Sequence, residues 1–245
     1  MVRSTCNLLN WVISMLEINQ IHNMDCREGL KQLPDNYVDL IVTDPPYGID
    51  LDYGYKDNWR PDEDVWKECY RVLKDNCLIV MTTSNKHLPF WIDVLRKVGF
   101  NYVHCGVYWN KCRAGGNCNG LFAYAWEPIL YFAKGNTPKL IKRMLSDVFP
   151  HTGRKTSDHP AERDINAWRK IMEVFEGKLV LDPFMGSGTT AKVSKEQQRD
   201  FIGFEINPEY CKISDTRKSQ EGLINYMGNG IPPTNKLVGI LPKRL

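Results

Sequence analysis

The sequence predicts an α/β fold: an open, mostly parallel sheet with helices on both faces. Three observations carry this prediction. From Glu17 onward, short apolar runs of strand character alternate with stretches whose apolar residues recur at helical spacing. Residues 179–190 begin with Leu179, Val180 and Leu181, a run suited to a strand buried on both faces, and continue through a Gly-rich turn into a helix start. Shortly afterwards Phe201–Glu205 reads as a second strand with an acid at its C-terminal end. A strand, a Gly-rich turn, a helix and an acid-ended strand make up the nucleotide-binding half of a Rossmann-like unit.

Within that unit Asp182 and Pro183 end the first strand, and Gly186 and Gly188 allow positive φ and close backbone approach to a ligand. Asp182, Phe184, Gly186, Ser187, Gly188 and Thr189 are therefore cofactor-binding candidates. Glu205 is placed to accept hydrogen bonds from both hydroxyls of a ribose. No Lys follows Gly188, so a triphosphate-binding loop is a poor reading. A cofactor with an adenosine but no pyrophosphate fits better, and S-adenosylmethionine is the first candidate. The alternative is a structural turn of the kind many α/β proteins carry without a ligand.

The chain in order supports the same architecture. Residues 1–16 read as a loose leader. A short strand closes at Asp25, an amphipathic helix follows over Cys26–Leu33, and Val38–Thr43 is a strand. It runs into Asp44-Pro45-Pro46-Tyr47, where two prolines stop the ladder and hold the carboxylate and the ring in a stiff, extended backbone. Ligands of open α/β sheets bind outside the C-terminal ends of strands, so this tetrapeptide is a candidate catalytic element. Residues 48–62 read as a polar, aromatic loop. Helices are expected over Glu63–Lys74 and His87–Val98, with a strand over Cys77–Met81 between them. Tyr102–Trp109 and Pro128–Ala133 read as two strands with no helix between them, joined by a loop over 110–127. A helix over Ile165–Phe175 precedes the cofactor unit, a further helix starts near Pro208, and 222–245 reads as an irregular tail. No repeat or linker divides residues 1–245, so a single domain is expected.

At 245 residues, 42% of them hydrophobic and 25% charged, the chain has the composition of a globular protein with a full core. The net charge of +3 implies no partner by itself. Its distribution says more, because residues 111–155 hold eight basic and two acidic side chains, leaving the remainder acidic. Lys111, Arg113, Lys139, Lys142 and Arg143 in this segment suit a phosphate-facing surface, although a solvated basic face would read the same way. The eight cysteines contain no Cys-x-x-Cys pair. Cys105, Cys112 and Cys118 with His104 could bind zinc, but their gaps are unlike the usual spacings, so reduced thiols in a cytosol and no metal are expected. No apolar run approaches the roughly 20 residues of a membrane-spanning helix.

With both stretches placed, the chain resembles the S-adenosylmethionine-dependent amino-methyltransferases that act on DNA, in the β class. There the catalytic motif precedes the cofactor motif, a circularly permuted order. The resemblance covers residues 17–217, and its anchors are Asp44–Tyr47 and Asp182–Thr190. It implies a seven-stranded, mostly parallel sheet whose last strand is antiparallel. Phe184, Gly186 and Gly188 match the cofactor loop, Glu205 the ribose-binding acid, and Asp25 an acid near the cofactor's adenine. Asp44, Pro45, Pro46 and Tyr47 match the catalytic motif, with Asp44 also near the sulfonium. His159-Pro160 resembles a motif that continues Thr-Gln-Lys-Pro, whereas here Ala161-Glu162-Arg163-Asp164 follows. The target-recognition segment implied, about 134–158, is short, which points to modest sequence specificity or to a second subunit, as in a homodimer.

The expected activity is transfer of a methyl group to adenine N6 of a base flipped out of double-stranded DNA. In this reading Asp44 and Pro45 orient the amine, and Tyr47 stacks on the base. Cytosine-N4 methylation is the alternative, its subgroup more often carrying Ser where Asp44 stands. A catalytically silent nucleic-acid-binding partner subunit is a second alternative.

Overall fold

The computed structural model describes residues 16–48, 51–52, 56–57, 59–110, 115–118, 122–138, 146–151, 163–173 and 175–212. Strands are β1 (Gln20–Asn23), β2 (Val38–Thr43), β3 (Leu51–Asp52), β4 (Lys56–Asp57), β5 (Leu73–Thr82), β6 (Asn101–Asn110), β7 (Gly115–Cys118), β8 (Phe122–Tyr124), β9 (Trp126–Lys134), β10 (Val148–His151), β11 (Leu179–Asp182) and β12 (Asp200–Glu205). Helices are α1 (Cys26–Lys31), α2 (Glu63–Val72), α3 (Leu88–Val98), α4 (Ile165–Met172) and α5 (Thr189–Glu196).

Among the described residues eight strands form one sheet in the order β1-β12-β11-β2-β5-β9-β6-β10. Seven run parallel and β9 alone is antiparallel, pairing with both β5 and β6. The expected count of seven is therefore one short, and the one antiparallel strand, β9, lies between β5 and β6. The additional strand is β10, drawn from the segment expected to serve target recognition. Its Val148 and Phe149 pair with Val107 and Tyr108 of β6, and Pro150 is tolerated because β10 is an edge strand.

Strand periodicity sorts the core into two layers. In β5, Ile79 and Met81 face α1, α2 and α3 with Leu30, Trp66 and Trp91, whereas Leu78 and Val80 face α4 and α5 with Trp168 and Val193. Strand β9 splits the same way between Leu130/Phe132 and Ile129/Tyr131. Helices therefore cover both faces, as the alternation in the sequence predicts.

Several boundaries differ from expectation. Helix α2 ends at Val72 rather than Lys74, because Leu73 turns extended and the chain passes straight into β5. A 3-10 turn at Asn85–His87 takes the start of the expected helix at His87, where Pro89 then suits the first turn of α3. The expected loops 48–62 and 110–127 contain the two-stranded ribbons β3–β4 and β7–β8. Helix α4 stops at Met172. Residues 1–15 of the expected leader and the tail 222–245 lie outside the described residues, and Leu16 packs against the core.

Candidate active site

Strands β2, β11 and β12 are neighbours and end at the same edge of the sheet. Their last residues and the turns after them line a cavity of about 450 Å³, whose walls include Asp44, Tyr47, Arg163, Asp182, Phe184 and Glu205. That volume falls in the range of small-molecule sites. Asp25, Pro45, Pro46, Gly186, Ser187 and Thr189 also reach it, so the fold gathers most of the residues singled out in the sequence.

The glycine turn follows its local chemistry. Gly186 and Gly188 have φ of 53° and 83°, and Gly188 caps α5 in the left-handed conformation. The turn lies so close to β12 that a Cβ on Gly203 would sit 2.2 Å from Met185 Cε. Glu205 faces the turn: Oε2 accepts from Gly186 N–H at 2.9 Å and Oε1 from Asn207 N–H at 2.7 Å. Burial raises its pKa, and these backbone donors oppose that rise. Each oxygen keeps acceptor capacity for a further donor.

Asp182 is arranged differently from its neighbours on the cavity wall. Its Oδ1 accepts from Thr43 Oγ1 at 2.7 Å and Phe184 N–H at 3.0 Å, and Oδ2 from Thr190 Oγ1 at 2.6 Å. Trp168 Nε1 donates to the same Thr190 hydroxyl at 3.0 Å, tying α4 to the turn. Only 3% exposed and surrounded by neutral donors, Asp182 has its pKa pushed up to about 6 by burial. Its oxygens serve the fold, locking strand end to helix start.

Asp25 caps α1, accepting from Arg27 N–H at 2.9 Å, and pairs with the Arg27 guanidinium at 2.5 Å. The Arg27 hydrogen bond holds its carboxyl below the usual range against the opposing effect of burial. Across the cavity mouth the half-exposed Trp59 ring lies 6.2 Å from Phe184, an apolar pair suited to a flat heterocycle.

The tetrapeptide after β2 meets three residues that sequence reasoning did not single out as site residues: Arg163, Glu127 and Thr82. Arg163 donates from Nε to Asp44 Oδ2 at 2.5 Å and from Nη2 to Asp44 Oδ1 at 2.6 Å, while its Nη1 reaches Glu127 Oε2 at 2.5 Å. Nη2 also donates to the Tyr47 hydroxyl at 2.6 Å, and that hydroxyl donates to Asp44 Oδ1 at 2.7 Å. Thr82, at the end of β5, donates to the same Oδ1. Burial alone raises the Asp44 pKa, but the Arg163 charge and hydrogen bonds outweigh it and hold the carboxyl below its usual value. Burial pushes the Tyr47 phenol well up, so it stays protonated.

Local sequence explains the placement of Arg163. Asp164 caps α4, accepting from Asn166 N–H and Ala167 N–H at 2.8 and 3.3 Å, and its own N–H donates to the Tyr108 hydroxyl at 3.0 Å. This fixes the backbone one residue after Arg163, whose guanidinium lies 5.9 Å from the Tyr47 ring and 5.6 Å from the Tyr108 ring. The departure Ala161-Glu162-Arg163-Asp164 thus supplies both the cation and the cap. Glu127 is the acid immediately ahead of the expected strand Pro128–Ala133.

Other expected site residues fall elsewhere. Lys111, Arg113, Lys139, Lys142, Arg143 and His159 lie outside the described residues, as does most of 134–158. Lys134, counted among the basic residues of that segment, is 8% exposed and donates to Asn36 Oδ1 and the Leu73 carbonyl at 2.7 and 2.8 Å. It sits at the far end of antiparallel β9, away from the cavity, and is spent inside the fold. Of the zinc alternative, His104 pairs with Asp147 at 3.1 Å and Cys105 is a free, half-buried thiol, while the side chains of Cys112 and Cys118 lie outside the description. Among the described residues no three His, Cys, Asp or Glu form a metal-binding group, and no helix is long and apolar enough to cross a membrane.

Comparison with known proteins places this geometry. A family profile described as DNA methylase, of the N6/N4 type, matches residues 38–216. Type II methyltransferase M.HpaI of Haemophilus parainfluenzae is 28% identical over 227 residues, covering 79% of this chain and 72% of that protein. DNA adenine methyltransferase YhdJ of Escherichia coli (strain K12) is 28% identical over 241 residues, covering 80% of this chain and 81% of its own. Among solved structures, the cytosine-N4-specific PvuII DNA methyltransferase superposes with a TM-score of 0.67 at 18% identity, covering 86% of this chain and 95% of that one.

Proposed function

The chain belongs to the N6/N4 DNA methylases, whose methyl donor is S-adenosylmethionine, and from that premise we propose that it methylates the N6 amine of adenine. One observation supports the reading above others: Asp44–Tyr47 and Glu205 open onto the same cavity, so an amine acceptor and a candidate ribose acceptor face each other across it. Asp rather than Ser at position 44 favours adenine, and the likeness to an adenine methyltransferase agrees.

In this reading Glu205 accepts from the ribose hydroxyls, and Phe184 with Trp59 flanks the adenine. The cofactor, when bound, supplies an electrophilic methyl group on a positively charged sulfur. Two carboxylates, Asp44 and Glu127, face a single guanidinium, so the cluster keeps one net negative charge that suits a sulfonium. Asp44 and the Pro45 carbonyl accept the hydrogens of the target amine and favour the pyramidal nitrogen whose lone pair can attack. Held below its usual pKa, Asp44 is a weak base, so it orients the amine by accepting a hydrogen bond rather than a proton. Tyr47 offers its ring to a base turned out of the duplex.

The experiment incubates the purified protein with DNA and methyl-labelled S-adenosylmethionine, digests the DNA and identifies the labelled nucleoside by mass spectrometry. N6-methyladenine is expected. N4-methylcytosine would overturn the adenine assignment, and no labelled nucleoside would overturn DNA methylation by this chain. Methylation-sensitive sequencing of the same DNA gives the sequence context.

A further inference from the structure

The carboxylate on which the proposed reaction turns is already engaged. Asp44 Oδ1 accepts from the Tyr47 hydroxyl, Thr82 and Arg163 Nη2, and Oδ2 accepts from Arg163 Nε. A carboxylate oxygen offers about two lone-pair directions. Oδ1 is therefore filled while Oδ2 keeps one direction beside Arg163 Nε, and an amine that is to take Oδ1 gains it only when a donor leaves. Tyr47 is held by the stiff diproline backbone and Thr82 by the end of β5. Arg163 differs from both in having a long side chain that holds both Asp44 oxygens and in its ion pair with a second carboxylate, Glu127, from which the Tyr47 hydroxyl lies 3.3 Å.

That second carboxylate can retain it. Nη1 already reaches Glu127 Oε2 at 2.5 Å, and Glu127, at the head of β9, has a side chain 35% exposed against 22% for Asp44. Turning about this pair releases Asp44 without leaving a buried cation unpaired. The guanidinium then stands beside the position of the amine with N–H groups unspent. An amino-bearing base presents an acceptor there: next to the exocyclic amine lies a bare ring nitrogen, N1 in adenine and N3 in cytosine. Guanine and thymine place a carbonyl and a ring N–H in the corresponding positions, so they would set acceptor against Asp44 and donor against Arg163.

We propose that Arg163 is a base-contacting specificity residue: it occupies Asp44 in the empty site, then turns on Glu127 to give Asp44 to the amine and its own N–H to the adjacent ring nitrogen. This rests on the reading that the site receives an extruded amino-bearing base. Arg163 thereby selects amino bases over keto bases and keeps the carboxylate neutralised until one arrives.

The test uses the full chain, S-adenosylmethionine and a duplex carrying the methylated site, with adenine or 1-deazaadenine at the target (cytosine or 3-deazacytosine, should cytosine prove to be the target). Wild type should lose roughly tenfold to a hundredfold in kcat/KM on the deaza base, the range for one charge-assisted hydrogen bond. Arg163→Met should lose a similar factor on adenine and nothing further on 1-deazaadenine, since both changes delete the same contact. Multiplying losses, or an Arg163→Met enzyme that still discriminates the two bases, would overturn the proposal. Calorimetric binding of S-adenosylmethionine reports whether the variant is folded. If it is not, Glu127→Gln decides: a neutral anchor leaves Arg163 on Asp44, so kcat should fall about tenfold or more, and wild-type rates on both bases would overturn the inference. A wild-type protein that methylates no DNA would instead sink the reading of the site itself.

Discussion

Asp44 and Asp182 close adjacent strands of one sheet, both withdrawn from solvent, yet their environments push them in opposite directions. Asp182 sees only hydroxyls and one backbone N–H, and burial lifts its pKa to about 6. Asp44 sees a guanidinium as well, and its pKa falls. Burial is common to both, so the cation decides. The difference separates a carboxylate that holds the fold from one kept ionised at the cavity floor.

Asp44→Ala should break the catalytic half of this pair most severely. Losing the amine acceptor should lower kcat by about 10³-fold, as for a deleted transition-state hydrogen-bonding group. Single-turnover methyl transfer checks it, and a variant retaining a tenth of wild-type kcat would remove Asp44 from its assigned role.

Asp182 should announce itself through stability. Its folded pKa lies above the unfolded value of 3.8, so the native state binds the extra proton between these limits. Its stabilising contribution is present below about pH 4 and is lost as pH rises through about 6, a change of about 3 kcal/mol at 1.36 kcal/mol per pKa unit. Asp182→Asn should abolish that slope. Urea unfolding from pH 4 to 7 measures it, and parallel wild-type and variant curves would mean that Asp182 titrates normally.

A smaller effect belongs to the other acid of the cofactor side. Glu205→Ala should weaken S-adenosylmethionine binding by about 1.5–3 kcal/mol, the value of hydrogen bonds to a charged group. Unchanged calorimetric affinity would take the ribose away from Glu205.

Tyr47→Phe sharpens the comparison most finely. The ring survives but the hydroxyl, donor to Asp44 and acceptor from Arg163, is lost. A loss of about 1 kcal/mol in kcat/KM is expected, with Tyr47→Ala losing a further 1–3 kcal/mol through stacking. Equal activity of Phe and Ala variants would place the whole role in the hydroxyl.

The cofactor side was legible in the sequence because it is local. Leu179–Glu205 supplies a strand, a turn needing positive φ, a helix and a second strand, and each is specified by residues close together in the chain. Asp44-Pro45-Pro46-Tyr47 was legible for a related reason, since prolines dictate backbone whatever surrounds them. Helices on both sheet faces followed from periodicity alone. The strand count did not, because β10 is a short edge strand whose pairing with β6 depends on where the sheet leaves an open ladder. Nor did the partners of Asp182, because Thr43, which donates to Oδ1, lies 139 residues away and Thr190, which donates to Oδ2, lies in the first turn of the next helix. The Asp44–Arg163–Glu127 cluster depended most on tertiary structure. Its members lie 119 and 36 residues apart, just after β2, before α4 and at the head of β9. No local pattern encodes a Coulombic contact at that separation. The sheet order brings the three charges within hydrogen-bonding distance, and burial makes their pairing obligatory.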